Sequence, residues 1–137
     1  MKTPKAQAIS SYAEAFYSKR INTSDKWEHY FAIYDHLLAG RYGQKINYLE
    51  IGVQKGGGLE TARKLFAPGS RLVGLDVDPK CNGLEAEGIA DRMFIGSQSD
   101  DATLKALTAY CPGFDVILDD GSHIQEHMIS TFIRLFP

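Results

Sequence analysis

The stretch Ile46-Asn47-Tyr48-Leu49-Glu50-Ile51-Gly52-Val53-Gln54-Lys55-Gly56-Gly57-Gly58 decides how this chain folds. Its apolar first half reads as a buried strand, and its glycines read as a tight turn opening a helix. That helix continues through Leu59, Ala62, Leu65 and Phe66 and is closed by Pro68-Gly69. A second strand, Arg71 to Asp78, is ended by Pro79. A short helical stretch around Leu84 to Ile89 leads to a third strand, Met93 to Gly96. Asp101 to Tyr110 then reads as a helix, Phe114 to Asp119 as a fourth strand, and Ser122 towards Phe136 as a last helix. Short strands alternating with helices of this length predict an α/β fold with a parallel sheet and right-handed crossovers.

Upstream the pattern is helical. Ile9, Tyr12, Ala13, Phe16 and Tyr17 place an amphipathic helix over about Pro4 to Arg20. Asn22, Thr23, Ser24 and Asp25 supply a second helix start, with Glu28 in capping-box register, running through Trp27, Tyr30, Phe31, Tyr34 and Leu38. Trp27, Tyr30 and Tyr34 are expected in the core, the alternative being a surface for a sugar ring. The chain therefore divides into a helical segment, residues 1–44, and an α/β domain, residues 45–137.

Composition narrows the function. Of 137 residues, 44% are hydrophobic and 23% charged, an ordinary globular balance. Fifteen basic against 17 acidic side chains leave a net charge of −2, which offers no basic excess for a nucleic-acid backbone. No apolar run is long enough to span a bilayer and no secretion signal is visible, so no membrane partner and a cytoplasmic location are expected. Cys81 and Cys111 fit neither a disulfide framework nor a zinc spacing.

In parallel sheets, ligands bind at the carboxyl ends of the strands. That places the chemistry at Glu50 to Gly58, Asp76 to Asp78, Gly96 to Asp100 and Asp119 to His123. A phosphate-binding P-loop would need Gly-Lys-Ser/Thr, which Gly57-Gly58-Leu59 lacks. A dinucleotide fingerprint would need glycine where Gln54 stands. What remains is Glu50-x-Gly52-x-x-x-Gly56-Gly57, whose acid suits a cofactor with a cationic amino-acid end. Asp76, 20 residues after Gly56, ends the second strand where a carboxylate can accept two ribose hydroxyls. The plainer alternative is that Glu50 and Asp76 only cap neighbouring helices.

Asp119-Asp120-Gly121-Ser122-His123 is the sharpest polar signal. Adjacent carboxylates repel, and a cation would relieve them. His123, one turn away, is a candidate general base, imidazole being the side chain best suited to exchange a proton near neutral pH. Alternatively Asp120 or Ser122 is a helix N-cap and His123 an ordinary first-turn residue. A rival reading takes His123-Ile124-Gln125-Glu126-His127 as the H-x-x-E-H pattern of a zinc metallohydrolase, with both histidines on one helical face.

Five ordered blocks carry a family resemblance. They are Asp25-Lys26-Trp27 with His29-Tyr30 and Tyr34; Leu49-Glu50-Ile51-Gly52-Val53 with Gly56-Gly57; Gly74 to Pro79; Ile95 to Asp100; and Ile117 to His123. Together they resemble the macrolide sugar O-methyltransferases of the mycinamicin and macrocin type and the related cephalosporin hydroxylases. The resemblance implies a Rossmann-like, class I S-adenosylmethionine-dependent methyltransferase fold. It implies that Glu50, Gly52 and Gly56 contact the cofactor's methionine part and Asp76 its ribose, with Ser97, Gln98, Asp100 and Asp119 also at the cofactor. Asp120 would be a magnesium ligand, and His123 the base for a sugar or polyol hydroxyl, such as one on a glycosylated natural product. The family continues past the position of Pro137 with residues that complete the magnesium site, so an incomplete site and only the N-terminal part of the sheet are expected here. The Phe114–Asp119 strand would then form an apolar edge, and a homo-oligomer is expected to cover it. A non-catalytic cofactor-binding module is the alternative function.

Overall fold

A computed structural model describes residues 9–18 and 21–136. Four strands form one parallel sheet: β1 (Asn47–Ile51), β2 (Arg71–Asp76), β3 (Arg92–Ile95) and β4 (Val116–Asp119), in the order β3-β2-β1-β4. This is the expected α/β, Rossmann-like arrangement. Among the described residues six helices accompany it: α1 (Tyr12–Tyr17), α2 (His29–Leu38), α3 (Gly57–Leu65), α4 (Gly83–Ala86), α5 (Asp101–Tyr110) and α6 (Gln125–Leu135). Two 3-10 turns follow α2 and precede α4, at Ala39–Arg41 and Pro79–Asn82.

Alternation along the central strand assigns the two faces. Tyr48 pairs in register with Leu72 of β2 and Val116 of β4, and its side chain joins a core with Tyr12, Phe16, Phe31 and Leu65. Leu49 and Ile51 point to the other face and pack with Val73, Leu75, Leu104 and Leu107. Glu50 follows Tyr48 onto the first face, where an acid among apolar neighbours needs a partner. It is 2% exposed.

The helix starts differ from expectation in informative ways. Residues 9–11 precede α1, whose N-cap Ser11 accepts the Glu14 amide at 3.1 Å; residues 1–8 and 19–20 of the expected helix lie outside the described residues. The Asp25 capping box does not form. Residues 23–27 are irregular and α2 begins at His29, because the chain is used to reach the sheet, as described below. The last helix starts at Gln125, not Ser122, since His123 takes a left-handed conformation, φ 58°.

The outer side is less finished. Between β4 and α6 runs an apolar groove of about 800 Å³ lined by Phe114, Ile117, Met128, Phe132 and Phe136. Phe132 and Phe136, stacked at 4.9 Å, are 64% and 62% exposed. Among the described residues no helix is long and apolar enough to cross a membrane. Cys81 and Cys111 are buried and unpaired with each other.

Candidate functional site

Gly52 ends β1 and turns the chain at φ 81°, directly under the loop after β4. A Cβ here would collide with the Asp120 carbonyl oxygen and lie 2.7 Å from Gly121 Cα, so only glycine lets the two strand ends approach. Gln54 then adopts a left-handed conformation, φ 52°, where a dinucleotide loop would carry glycine. The conformation is held by Asp76, whose Oδ2 accepts the amides of Val53 at 2.8 Å and Gln54 at 2.9 Å. Asp76 Oδ1 accepts the Asp78 amide at 2.9 Å. The expected ribose-binding acid is therefore also the clamp on the glycine turn.

Glu50 lies beneath that turn, at the N-terminal end of α3. A Cβ on Gly58 would fall 2.7 Å from Glu50 Oε2, so the glycine makes room for the carboxylate. Glu50 Oε1 meets the ammonium of Lys26 at 3.0 Å. The same Lys26 Nζ reaches Asp120 Oδ2 at 3.1 Å, with the Lys26 side chain only 5% exposed. Glu50 Oε2 is buried without a hydrogen-bond partner. Burial pushes the Glu50 carboxyl above its usual range, against the downward pull of Lys26. Desolvation is the largest influence on Lys26 and lowers it, but Glu50 and Asp120 together outweigh it and hold the ammonium above its ordinary value.

Lys26 is the residue that the sequence did not single out. It is delivered by residues 21–26, which lie over the glycine turn. The Ile21 and Asn22 amides donate to the two oxygens of Glu60, in the first turn of α3, at 2.7 and 2.8 Å. Gly57 lies so close to this segment that a Cβ would sit 2.6 Å from the Thr23 carbonyl carbon. The one sequence signal was Asp25-Lys26-Trp27 standing as a block.

The loop after β4 is organised by Gln98, which is 5% exposed. Its Nε2 donates to Asp119 Oδ2 at 3.0 Å and to Thr131 Oγ1 at 3.0 Å, and its Oε1 accepts the Ser122 amide at 2.9 Å. Asp120 splits its oxygens between Lys26 and His123, whose Nε2 lies 3.4 Å from Oδ1. The His123 ring is 71% exposed. His127 instead bonds Ser122 Oγ through Nδ1 at 2.9 Å. His123 stands outside α6, so the single helical face that the zinc reading required is not formed.

Two recesses meet along these residues. One, of about 270 Å³, is bounded by Gly52, Asp76, Gly96, Ser97, Gln98 and Gly121. The other, of about 130 Å³ and mostly polar, is bounded by Thr23, Ser24, Lys26, Glu50 and Gly58. Gly52, Gln54 and Asp120 belong to both. Glu50, Gly52, Asp76, Ser97, Gln98 and Asp120 thus come together. Gly56 is buried against Leu84 and Asn22. Asp119 is exposed and turned to Gln98, while Asp100 is spent on capping α5, accepting Thr103 N at 2.9 Å and Thr103 Oγ1 at 2.7 Å. That capping lowers the Asp100 pKa.

The residues fit an amino-acid-bearing nucleoside: an acid for ribose in the larger recess and a buried carboxylate oxygen in the smaller. They do not by themselves fit a metal. Among the described residues, no three His, Cys, Asp or Glu groups come close enough together to hold an ion. The aromatic residues divide. Tyr34 packs against the core, whereas Trp27 and Tyr30, 64% and 40% exposed, stand outside it with rings parallel to 10° and 6.1 Å apart.

No family model matches the chain. It is 35% identical over 126 residues to a tetracenomycin rhamnosyl 3'-O-methyltransferase of Streptomyces olivaceus, covering 85% of this chain and 31% of that protein. It is 33% identical over 110 residues to the mycinamicin VI 2''-O-methyltransferase of Micromonospora griseorubida, covering 76% of this chain and 27% of that one. Among solved structures it resembles MycE methyltransferase of the mycinamycin pathway in complex with Mg and SAH. The TM-score is 0.72 at 27% identity, over 97% of this chain and 34% of the other. A further MycE structure, with Mg, SAH and mycinamycin VI, gives a TM-score of 0.70 at 26% identity, over 96% of this chain and 36% of that one. The chain thus spans about a third of the length of the relatives it matches.

Proposed function

We propose that this chain, which belongs to the sugar O-methyltransferase family whose sequence and fold it shares, binds S-adenosylmethionine across the ends of β1, β2 and β4 and serves methyl transfer to a sugar hydroxyl. The observation that carries the reading is the continuous pair of recesses with Asp76 in one and the unpartnered Glu50 Oε2 in the other. The adenosine part would lie along Asp76, Gly96 and Ser97, and the amino-acid part would reach Glu50. When bound, S-adenosylmethionine supplies a methyl group already activated by its sulfonium. The protein's work is then alignment and removal of one proton.

His123 takes that proton. With Nε2 turned to Asp120 Oδ1, Nδ1 is the nitrogen that would take the proton of the acceptor hydroxyl, and the Asp120 carboxylate would stabilise the imidazolium that results. Asp120 would contribute one ligand to a divalent cation, whose charge would lower the pKa of the acceptor hydroxyl. Trp27 and Tyr30, one and four residues after Lys26, offer the apolar face of a sugar ring a flat surface. A sugar on a larger natural product fits the relatives' names, which specify rhamnosyl and macrolide acceptors.

Calorimetric titration with S-adenosylhomocysteine tests the reading. Saturable binding is expected, and Asp76→Ala, folded by circular dichroism, should lose at least about 100-fold in affinity because turn clamp and ribose acceptor vanish together. His123→Ala should bind the ligand as the parent does and lose about 10²- to 10⁴-fold in turnover wherever the parent methylates. A folded parent chain that does not bind overturns the proposal. Binding without any methyl transfer to a sugar acceptor would favour a cofactor-binding module instead.

A further inference from the structure

His123 and His127 have the spacing of one helical face, but the backbone gives them different work. His123 has φ 58°, a left-handed conformation disfavoured by roughly tenfold against the right-handed one for a residue with a Cβ. Its own ring does little to offset that, being 71% exposed with one contact, Nε2 to Asp120 Oδ1 at 3.4 Å. The conformation has to be imposed by the residues on either side.

Ser122 ties both sides together. Its amide donates to the Oε1 of buried Gln98 at 2.9 Å. Its Oγ accepts the Ile124 amide at 3.2 Å, closing a turn whose middle residue is His123. The same Oγ is hydrogen-bonded to His127 Nδ1 at 2.9 Å. A hydroxyl has one donor and two acceptor sites, so both bonds form at once. His127 lies in the first turn of α6. One turn further along, Thr131 Oγ1 accepts Gln98 Nε2 at 3.0 Å and donates to the Gln98 carbonyl at 3.2 Å. Gln98 and α6 thus hold each other, and both hold Ser122. A serine just before a helix is well suited to cap it, yet α6 starts at Ile124 with no side-chain cap. The hydroxyl serves the turn around His123 instead.

We infer that His127 is a positioning residue for His123: bonded to Ser122, it locks the left-handed turn that presents the His123 imidazole beside Asp120. The inference rests on the reading of His123 as the base of methyl transfer, and it gives His127 a part in that step without contact with the transferred proton. An unlocked turn relaxes towards the right-handed backbone and carries the His123 ring away from Asp120. A base and a hydroxyl react only within hydrogen-bond reach, and a misplacement of about 1 Å is enough to cost roughly 100-fold in rate.

Solution NMR of the whole chain reads that backbone directly. A positive φ brings a residue's amide proton and Hα together, so His123 should give a stronger intraresidue amide–Hα cross-peak than Ser122 and Ile124; a parent without it overturns the inference. In His127→Leu, folded by circular dichroism, the cross-peak should fall to the level of its neighbours. Hydrogen exchange at Ile124 should rise at least about tenfold there, with Val53 and Gln54 unchanged. His127→Asn, which keeps a donor and an acceptor where Nδ1 stands, should restore both signals. A purely structural histidine would lower stability in His127→Leu and leave the His123 signature in place, which overturns the inference, as does an Asn variant no better than Leu. Should His127→Leu fail to fold, Ser122→Ala decides: loss of the two signals upholds the inference and their retention overturns it. His127 also borders the larger recess, so turnover and affinity are read separately. Where the parent methylates, His127→Leu should lose at least about tenfold in turnover at saturating cofactor, with S-adenosylhomocysteine affinity within about twofold of the parent's. Lost affinity with turnover intact would make His127 a ligand contact and overturn its role. The NMR signals need no ligand, so a parent that binds S-adenosylhomocysteine but keeps its turn in His127→Leu leaves the proposed function standing and removes only His127. A folded parent that does not bind removes both.

Discussion

The two ends of the site are built to different standards. At the end of β1, Gly52, Gln54, Glu50 and Asp76 are held by backbone amides, a buried ion pair and close glycine contacts, each constraint checked by another. At the end of β4, His123 is 71% exposed and is held by one 3.4 Å contact to Asp120, while α6 beside it shows Phe132 and Ile133 to solvent. On the proposed function the first region is the cofactor end, fixed before any ligand arrives. The second would, on the proposed function, meet the acceptor, and it is joined to the first by the packing of Gly52 under Asp120, the ammonium of Lys26 and the Asp120 amide on the Ile51 carbonyl.

Breaking the packing link should have the largest effect. In Gly52→Ala the new methyl group would collide with backbone, not with a side chain that can turn away, at a φ of 81°. The Asp120 amide is itself bonded to the Ile51 carbonyl at 2.9 Å, so the loop cannot retreat without cost. A loss of at least about 4 kcal/mol in unfolding free energy is expected, together with loss of S-adenosylhomocysteine binding. Denaturant unfolding and the same titration measure both, and a variant that retained stability and binding would show that the two ends are not joined there.

Gln98→Ala acts on the second region alone. It removes the donor to Asp119 and Thr131 and the acceptor of the Ser122 amide, three hydrogen bonds made by one buried side chain. About 2 kcal/mol of destabilisation is expected, with hydrogen exchange rising at Gly121 and Ser122 but not at Val53 and Gln54. Exchange rising equally at both ends would erase the distinction between them.

The sequence made the first region legible and the second only in part, for a physical reason. Strand order, the glycine turn and the acid at Asp76 are encoded locally, by period, by residues that permit unusual φ, and by polar residues after apolar runs. Lys26 was not legible, since Thr23-Ser24-Asp25 is a good local helix start and only a partner 24 residues away, Glu50, explains why the helix waits until His29. A buried ion pair outweighed a surface cap. Gln98 was placed at the cofactor from resemblance, and the structure shows it also serving as the scaffold of the Asp119–Ser122 turn, a role fixed by Thr131 far along the chain. Trp27 and Tyr30 keep helical spacing with Tyr34, but the late start of α2 leaves Trp27 before the helix and Tyr30 in its first turn, outside the core.

The smallest expected effect tests whether the glycine argument is about space or about backbone conformation. Gly43 has nearly the same left-handed backbone as Gly52, φ 73° against 81°, and its amide is well bonded, to the Leu65 carbonyl at 2.8 Å. A Cβ there would meet nothing within 4 Å. Gly43→Ala therefore carries the conformational cost without the collision, about 1 kcal/mol in unfolding free energy, and S-adenosylhomocysteine affinity should stay at the parent's value. Subtracting it from the cost of Gly52→Ala isolates the part due to the approach of β1 and β4. A Gly43→Ala variant as damaged as Gly52→Ala would mean that left-handed strain alone accounts for both, and that the contact between the cofactor end and the acceptor end contributes nothing measurable.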